Sequence, residues 1–495
     1  MRKFVGEDLK YMAVVKADAY GHGAVECARR LGTEGVDWFG VAIPEEGCEL
    51  RRAGITQPIL CLGSFFAGQE ALVVEHDLTP VIFDLEVAGA LSRCVGDRSY
   101  DIHVKIDTGM GRLGFRWQMA REFAQGLSEL PNLNVSGIMS HFASADDPEQ
   151  DGLTSSQIER LAEAVRIFEE EGFAPEIVDI ANSPGSIRSK ASRHGMVRLG
   201  GALYGIIDDI LPRDVIQPTL KPVMSLISQI SFIKDVPKGA GLGYDQTFHT
   251  NRDSRIALVP IGYADGYPRG ESNSQNALVR GCLVPVVGRV SMDWTILDVT
   301  DCPDARKWDD VTFIGRDGEY EIRASDLARQ IDTIAYEVTC GISSRVPRIF
   351  CLMPSFGSID ASIQYEPRPG GYAVIVQNGK VAVVQTPRGY FLPGGGAEAR
   401  ESPSEAAIRE TKEEIGLSIT VITEIGTADE FAYSKASDTH FKKICSFFAA
   451  EVTGSVDDSE PDHNLTWVKP EDALELLTHG SQKWAIERFF FRRDS

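Results

Sequence analysis

Over the first 205 residues, eight short apolar runs alternate with segments whose apolar residues recur at helical spacing. The runs are YMAVVKA, WFGVA, PILCLG, LTPVIF, YDIHVKID, VSGIMSHF, EIVDIAN and MVRLGGALYG. A strand buried on both faces reads as a continuous apolar run, and a helix with one apolar stripe can cover a parallel sheet. SSQIERLAEAVRIFEEEG shows such a stripe, with Ile158, Leu161, Ala162 and Val165 on one face. Eight repeats of this kind predict an α/β fold, a (β/α)8 barrel; a doubly wound sheet is the competing arrangement.

Past residue 216 the texture changes. ISQISFIKDVPKGAGLGY, RIALVPIGYADGYPRG, VRGCLVPVVGRVSMDWTILDV and DDVTFIG are β-like runs broken by Gly and Pro, which predict a mostly antiparallel β domain. PSFGSIDASIQYEPRPG has no periodicity and reads as a linker. Beyond it the chain is strand-rich with two helical segments, long enough for a small independent domain. The expected organisation is a barrel over 1–216, a β domain over 217–354, a linker over 355–368 and a third domain over 369–495. The formal charge of −22 argues against nucleic acid or an anionic membrane as partner. Nine cysteines are scattered without a C-x-x-C pair, no long apolar run is present, and MRKFVGEDLKYM lacks a signal peptide's apolar core. These features predict a soluble, cytoplasmic protein with reduced thiols.

In a (β/α)8 barrel the strand ends carry the active site. Lys16 ends the first run, and a partly desolvated lysine loses proton affinity, so its amine can attack an aldehyde. Alone, Lys16 reads equally well as a surface residue capping a strand, and His141 as a hydrogen-bonded core histidine. The other strand ends shift that balance. HVKIDTGMGRLGF places Lys105, Asp107 and Arg112 at a Gly-rich turn, SHFASADD places His141, DIANSPGS places Asn182 and Ser183, and MVRLGGALYG places Arg198, Gly200 and Gly201. Backbone amides and a hydroxyl after the last two strands make a phosphate cradle. An amine opposite a phosphate cradle suits pyridoxal 5′-phosphate, which brings both an aldehyde and a phosphate.

Residues 11–353 resemble alanine racemase, a pyridoxal phosphate enzyme pairing a barrel with a C-terminal β domain; AVVKADAYGHG matches its lysine motif. The resemblance implies that Lys16 forms the Schiff base and is the base for one face of the substrate. It implies that Tyr20, Ser183, Gly200, Gly201 and Tyr336 bind the phosphate, and that Arg198, supported by His141, faces the pyridine nitrogen. Tyr244, in GLGYDQTF, matches the opposite-face base, supplied by the second subunit of a homodimer; a tyrosine needs positive neighbours to act so, and Arg112 fits that role and the substrate carboxylate. Met292 and Asp293 match the segment reaching that carboxylate from the partner, Tyr263 a tyrosine at the substrate entrance, and Lys105 a lysine often carbamylated. Lone-barrel cofactor-binding proteins lack the β domain, and SMDWTILDV and IGYADGYPR favour a racemase over decarboxylases of the same fold. The implied activity interconverts L- and D-alanine for peptidoglycan synthesis; a broad-specificity or serine racemase is the alternative. Family members carry a further wall helix before the lysine motif; with only MRKFVGEDLK here, either the barrel is expected to be open at that wall or the true start lies upstream.

A second constellation begins at Gly395: five residues, Glu401, seven residues, Arg409-Glu410, then Glu413-Glu414, Gly416 and Leu417. The spacing predicts a helix over 404–415, N-capped by Ser402 or Ser404 and stopped by Gly416. Glu410, Glu413 and Glu414 share one face, where they repel one another unless a hard cation such as Mg²⁺ (or Mn²⁺) sits among them. Such an ion neutralises a diphosphate and activates water, and Arg409 can pair with Glu413 one turn on. A solvated acidic helix is the plain reading of a charge run, but the Gly-rich turn YFLPGGGAE feeding the helix argues against it. The stretch resembles the Nudix box and departs from it only at Thr411, where a bulky apolar residue is usual. Residues 369–495 are thereby identified as a Nudix hydrolase domain acting on a nucleoside diphosphate derivative, with Glu413 catalytic; a nucleotide-binding regulatory module is the alternative.

Overall fold

The computed structural model describes residues 1–206, 211, 215, 218, 220–350, 355–357, 365–398, 401–434, 439–455 and 462–490. It divides into two compact units, Met1–Arg348 and Ile349–Ser495. The expected boundaries at 216/217 and 354/355 fall at or beside residues outside this set. Among the described residues no helix is long and apolar enough to cross a membrane.

The first unit opens with eight parallel strands: β1 Lys10–Val14, β2 Trp38–Val41, β3 Ile59–Cys61, β4 Thr79–Ile82, β5 Tyr100–Asp107, β6 Leu133–Met139, β7 Ile177–Asp179 and β8 Met196–Leu199. Each pairs with the next from β1 to β7, and β1 also pairs with β8. This succession is a nearly closed barrel; a doubly wound sheet would reverse its strand order at a switch point. Strand β1 is paired on both sides, so the sheet is continuous at the wall for which an open barrel was one of two expectations. The ladder lapses instead between β7 and β8, which are joined by the Arg198 N–H donating to the Ala181 carbonyl at 2.9 Å.

Successive strand residues alternate between the interior cluster of Met12, Leu60, Val81, Met139, Ile177 and Met196 and the helix layer, where Ala13, Ile59, Ile82 and Ile138 pack. The helix Asp151–Glu170 buries Thr154, Gln157, Leu161, Ala164 and Phe168, a face rotated from the expected one; Ala162 is exposed. The rotation has a polar cause. Gln157 turns inward, its Oε1 accepting the Ala143 N–H at 3.0 Å and its Nε2 donating to the His141 carbonyl at 2.9 Å.

Antiparallel pairs follow, among them Phe232–Val236 with Ser254–Val259 and Asn276–Val279 with Cys282–Pro285. Their core centres on Tyr267 and Phe313, with ring centroids 4.6 Å apart. The helix Ala335–Gly341 carries Tyr336 back to the barrel.

In the second unit, Thr439–Ser455 pairs antiparallel with Leu417–Ser434 and parallel with Glu366–Gln377, while Lys380–Thr386 pairs with Gly389–Phe391 and Asn464–Val468. Three helices are described, Pro403–Ile415, Pro470–Leu476 and Gly480–Phe490, one more than expected. Ser402 is the N-cap. Its Oγ accepts the Glu405 N–H at 3.3 Å and the Glu405 carboxylate accepts the Ser402 N–H at 2.9 Å, a reciprocal cap contributing about 1 kcal/mol. The expected linker is structured where it is described: Ser355–Phe356 pairs with Asp429–Glu430, and Glu366 begins a strand. Residues 358–364 of that segment lie outside the described residues.

Candidate active sites

Strand β1 stops at Val14, short of Lys16. Lys16 instead opens a left-handed turn in which Ala17, Asp18, Ala19 and Tyr20 have φ of 52°, 52°, 53° and 57°. This conformation costs an L-residue roughly 1–2 kcal/mol, so tertiary contacts must hold it. The Ala17 N–H donates to Glu46 Oε1 at 2.6 Å, the Ala24 N–H to Asp18 Oδ1 at 2.7 Å, and Arg348 Nε to the Gly21 carbonyl at 3.0 Å. The turn carries the Tyr20 ring to 5.1 Å from Tyr204 and 5.6 Å from Tyr336.

Lys16, Tyr20, Lys105, Arg112, His141, Ser183, Arg198, Gly200, Gly201 and Tyr336 line one cleft of about 520 Å³ at the strand ends. Ser183 Oγ accepts the Gly200 N–H at 3.0 Å, and a Cβ on Gly200 would lie 2.5 Å from the Tyr20 hydroxyl. Only glycine lets phenol and backbone approach so closely. Asp107 shapes the loop before Arg112 by accepting the N–H groups of Gly109, Met110 and Gly111 at 2.9–3.1 Å.

Positive charge dominates the cleft. Burial lowers the Lys16 pKa, with Arg112 adding to the effect, and burial with Arg198, Arg112 and Lys16 brings Lys105 down to about 7. His141 is held neutral by burial and by the same cations. An amine that releases its proton readily, beside a glycine cradle and a surplus of cations, fits an aldehyde-bearing phosphate such as pyridoxal phosphate.

Arg198 is buried, and burial lowers it to about 9. Its Nη2 donates to the carbonyls of Ser140 at 2.7 Å and Ile180 at 3.3 Å and lies 3.0 Å from His141 Nδ1, while Nη1 pairs with the Asp179 carboxylate. Asp179 is fully buried and was missed by sequence reasoning. The available signal was an acid inside the apolar run EIVDIAN, a position that needs a partner.

Tyr244, Tyr263, Met292 and Asp293 stand outside that cleft on the β domain, with Tyr244 69%, Met292 53% and Tyr263 44% exposed. The Tyr263 N–H donates to the Ser291 carbonyl at 3.1 Å, which joins two of these segments, and Asp293 pairs with Arg345 at 2.9 Å. The structure therefore gathers the barrel residues at Lys16 and leaves these four on the surface.

In the second unit, Arg409 binds Glu401 at 2.8 and 2.9 Å, Glu410 at 2.8 Å and Glu413 at 2.9 Å. Glu414 accepts the Gly394 N–H at 3.0 Å and lies 3.6 Å from His463. Thr411 is buried, its hydroxyl donating to the Ala407 carbonyl at 2.6 Å, so the departure from the box pattern leaves no polar group unpaired. Among the described residues, no three acidic, imidazole or thiol groups are gathered closely enough to hold a metal. The donors nevertheless suit a hard cation: all are carboxylates, and a Cβ on Gly395 would lie 2.5 Å from Glu410 Oε2, so the glycine leaves that oxygen room. Arg409 bonds Glu410 through Oε1 and Glu413 through Oε2, so it does not use the second oxygen of either carboxylate.

A barrel with a cationic cleft at its strand ends, an antiparallel β domain behind it and a separate box-bearing unit define a two-part enzyme architecture. The family models described as "Alanine racemase, N-terminal domain" and "Alanine racemase, C-terminal domain" match residues 1–208 and 223–350, and "NUDIX domain" matches 367–489. Alanine racemase of Halothermothrix orenii is 42% identical over 351 residues, covering 70% of this chain and 92% of that protein. That of Geobacter sulfurreducens is 44% identical over 351 residues, covering 70% and 91%. The crystal structure of alanine racemase from Bacillus anthracis with bound L-Ala-P superposes with a TM-score of 0.66 at 35% identity, over 70% of this chain and 90% of that one. The chain belongs to the alanine racemase family and carries a NUDIX domain after its racemase domains.

Proposed function

We propose that the chain is a bifunctional enzyme: a pyridoxal phosphate-dependent racemase that interconverts L- and D-alanine, joined to a divalent-metal-dependent hydrolase of a nucleoside diphosphate derivative. The observation that carries the first half is the convergence on one cleft of a depressed Lys16 amine, a glycine cradle and a buried Arg198. When bound, the cofactor supplies an aldehyde and an electron-accepting ring that eases loss of the Cα proton. Tyr20, Ser183, Gly200, Gly201 and Tyr336 would hold its phosphate, and Arg198 would donate to its ring nitrogen. Arg198 resists giving up its own proton, so it leaves that nitrogen unprotonated. Arg112 would orient the substrate carboxylate, and Lys16 Nζ would take or return the Cα proton on one face.

The opposite face needs a second acid–base group. Tyr244 of the partner subunit is proposed for it, with Tyr263, Met292 and Asp293 at the entrance, because all four are displayed on the surface rather than turned to their own cleft. The functional unit is then a homodimer. A side reaction at Lys105 fits the same electrostatics: its neutral amine adds CO₂, losing a proton, and the resulting carbamate places a negative charge between Arg112 and Arg198.

In the second unit Glu410, Glu413 and Glu414 would hold Mg²⁺ or Mn²⁺, and Glu413 would draw a proton from the attacking water. The test takes the full chain, incubates it with pyridoxal phosphate and L-alanine or L-serine, and measures the D-enantiomer and borohydride-trapped cofactor on Lys16. Failure of both readouts rejects the racemase reading. Replacing Glu413 and Glu414 by glutamine is expected to abolish phosphohydrolase activity and spare racemisation; retention of phosphohydrolase activity rejects the metal site.

A further inference from the structure

The second unit has a cleft of about 600 Å³ beside the Gly394–Gly396 turn and Glu414. Three cations line it: Arg368, Arg388 and Lys443. Neighbouring Lys442 pairs with Asp429 at 2.8 Å. One residue along the strand, Lys443 is partly buried, and its hydrogen-bond partner is His479 Nε2 at 3.3 Å. The other ring nitrogen of His479 faces Glu430 Oε1 at 3.4 Å, and the Ser481 N–H donates to Glu430 Oε2 at 2.9 Å. The Glu430 carboxylate favours the ring proton on Nδ1, the tautomer that leaves the Nε2 lone pair facing the ammonium. The chain aims Lys443 without cancelling its charge. Among the described residues, none of the three cations has a carboxylate within ion-pair distance.

Burial lowers the proton affinity of Lys443, and Arg368 and Arg388 add to this. Charge held so close together in a partly dry cleft calls for an anion. The acids of the cleft are Glu414 and Asp462, and Glu414 belongs to the box that a metal would occupy. A diphosphate capped at both ends carries two negative charges, which a bound divalent cation balances by itself. A free phosphate end adds up to about two more, and the three cations, less the one negative charge of Asp462, match that surplus.

We infer that this cleft takes a phosphoanhydride with a free phosphate end, of the nucleoside triphosphate class, and that Lys443, Arg388 and Arg368 bind the free end. The inference rests on the hydrolase reading for which bond is cut.

The test uses the full-length chain with Mg²⁺ and compares, by titration calorimetry, a methylene-bridged nucleoside triphosphate analogue with ADP-ribose, a diphosphate capped at both ends. The analogue is expected to bind at least tenfold more tightly. K443M is expected to erase most of that preference by weakening the analogue about tenfold while leaving ADP-ribose unchanged, K443R to retain it, and K442M to leave both as they were. The exposed R388Q serves as a second variant where K443M fails to fold. Equal binding of the two probes, or equal weakening of both by K443M, overturns the inference. Hydrolysis of the unmodified nucleoside triphosphate and of ADP-ribose separates the two readings. Preferential analogue binding without cleavage of any triphosphate rejects the hydrolase and keeps the inference; cleavage of ADP-ribose alone keeps the hydrolase and rejects the inference.

Discussion

Replacing Asp179 by asparagine removes one partner of a pair in which both side chains are nearly inaccessible, Asp179 at 0% and Arg198 at 3% exposure. Loss of one member of a buried ion pair costs roughly 3–5 kcal/mol, because the remaining charge is left uncompensated. The lower end applies here, since an asparagine oxygen can still accept from Nη1 and Nη2 keeps its bond to the Ser140 carbonyl at 2.7 Å. The Asp179 carboxylate is the negative charge that offsets the protonated guanidinium in this dry site. The cofactor-free protein is expected to lose about 3 kcal/mol in the urea unfolding transition of its racemase domains. Replacing both partners, as in D179L with R198M, should cost less stability than D179L alone. A D179N protein within about 0.5 kcal/mol of the parent refutes the argument.

Y244F is expected to lower racemisation at least about 100-fold with little change in stability, because the side chain is 69% exposed; mixing K16A and Y244F subunits should restore activity through hybrid dimers with one intact site, and failure to complement removes the partner role. The Glu271 carboxyl is fully buried, and burial raises it to about 7 against a weaker pull from Gln275. Its folded pKa thus exceeds the unfolded value, so the associated stability is fully present below about pH 4.5 and is lost as pH rises through 7, a change of up to about 3 kcal/mol. E271Q should flatten that decline in a pH series of unfolding curves. For Lys105, intact mass spectrometry at pH 8 under bicarbonate should show added CO₂ that K105R lacks, and absence of the adduct from both proteins would dismiss the carbamate.

Some of this molecule was determined by local sequence. The eight barrel strands are continuous apolar runs between amphipathic helices, and a strand buried on both faces needs no distant information to be recognised. The Ser402 cap and the stop at Gly416 are likewise written within a few residues of where they act. The lysine, the glycine pair and the glutamates could be named because their motifs are short and contiguous.

Other features exist only through tertiary contact. Four residues after Lys16 adopt a left-handed turn that their own propensities oppose, held by Glu46 and Arg348 from elsewhere in the chain. Gln157 rotates its helix because polar groups on two other segments need a partner, which outweighs the apolar count. The burial of Asp179 against Arg198 follows from barrel closure: the β1–β8 pairing sets Met12 opposite Arg198, and the residues around β7 complete its surroundings. The sequence by itself determined the barrel strands and the candidate motif residues, because hydrophobic period and motif spacing are local. The tertiary structure alone decided which charges lose water and face one another, because desolvation and long-range pairing depend on segments far apart in the chain.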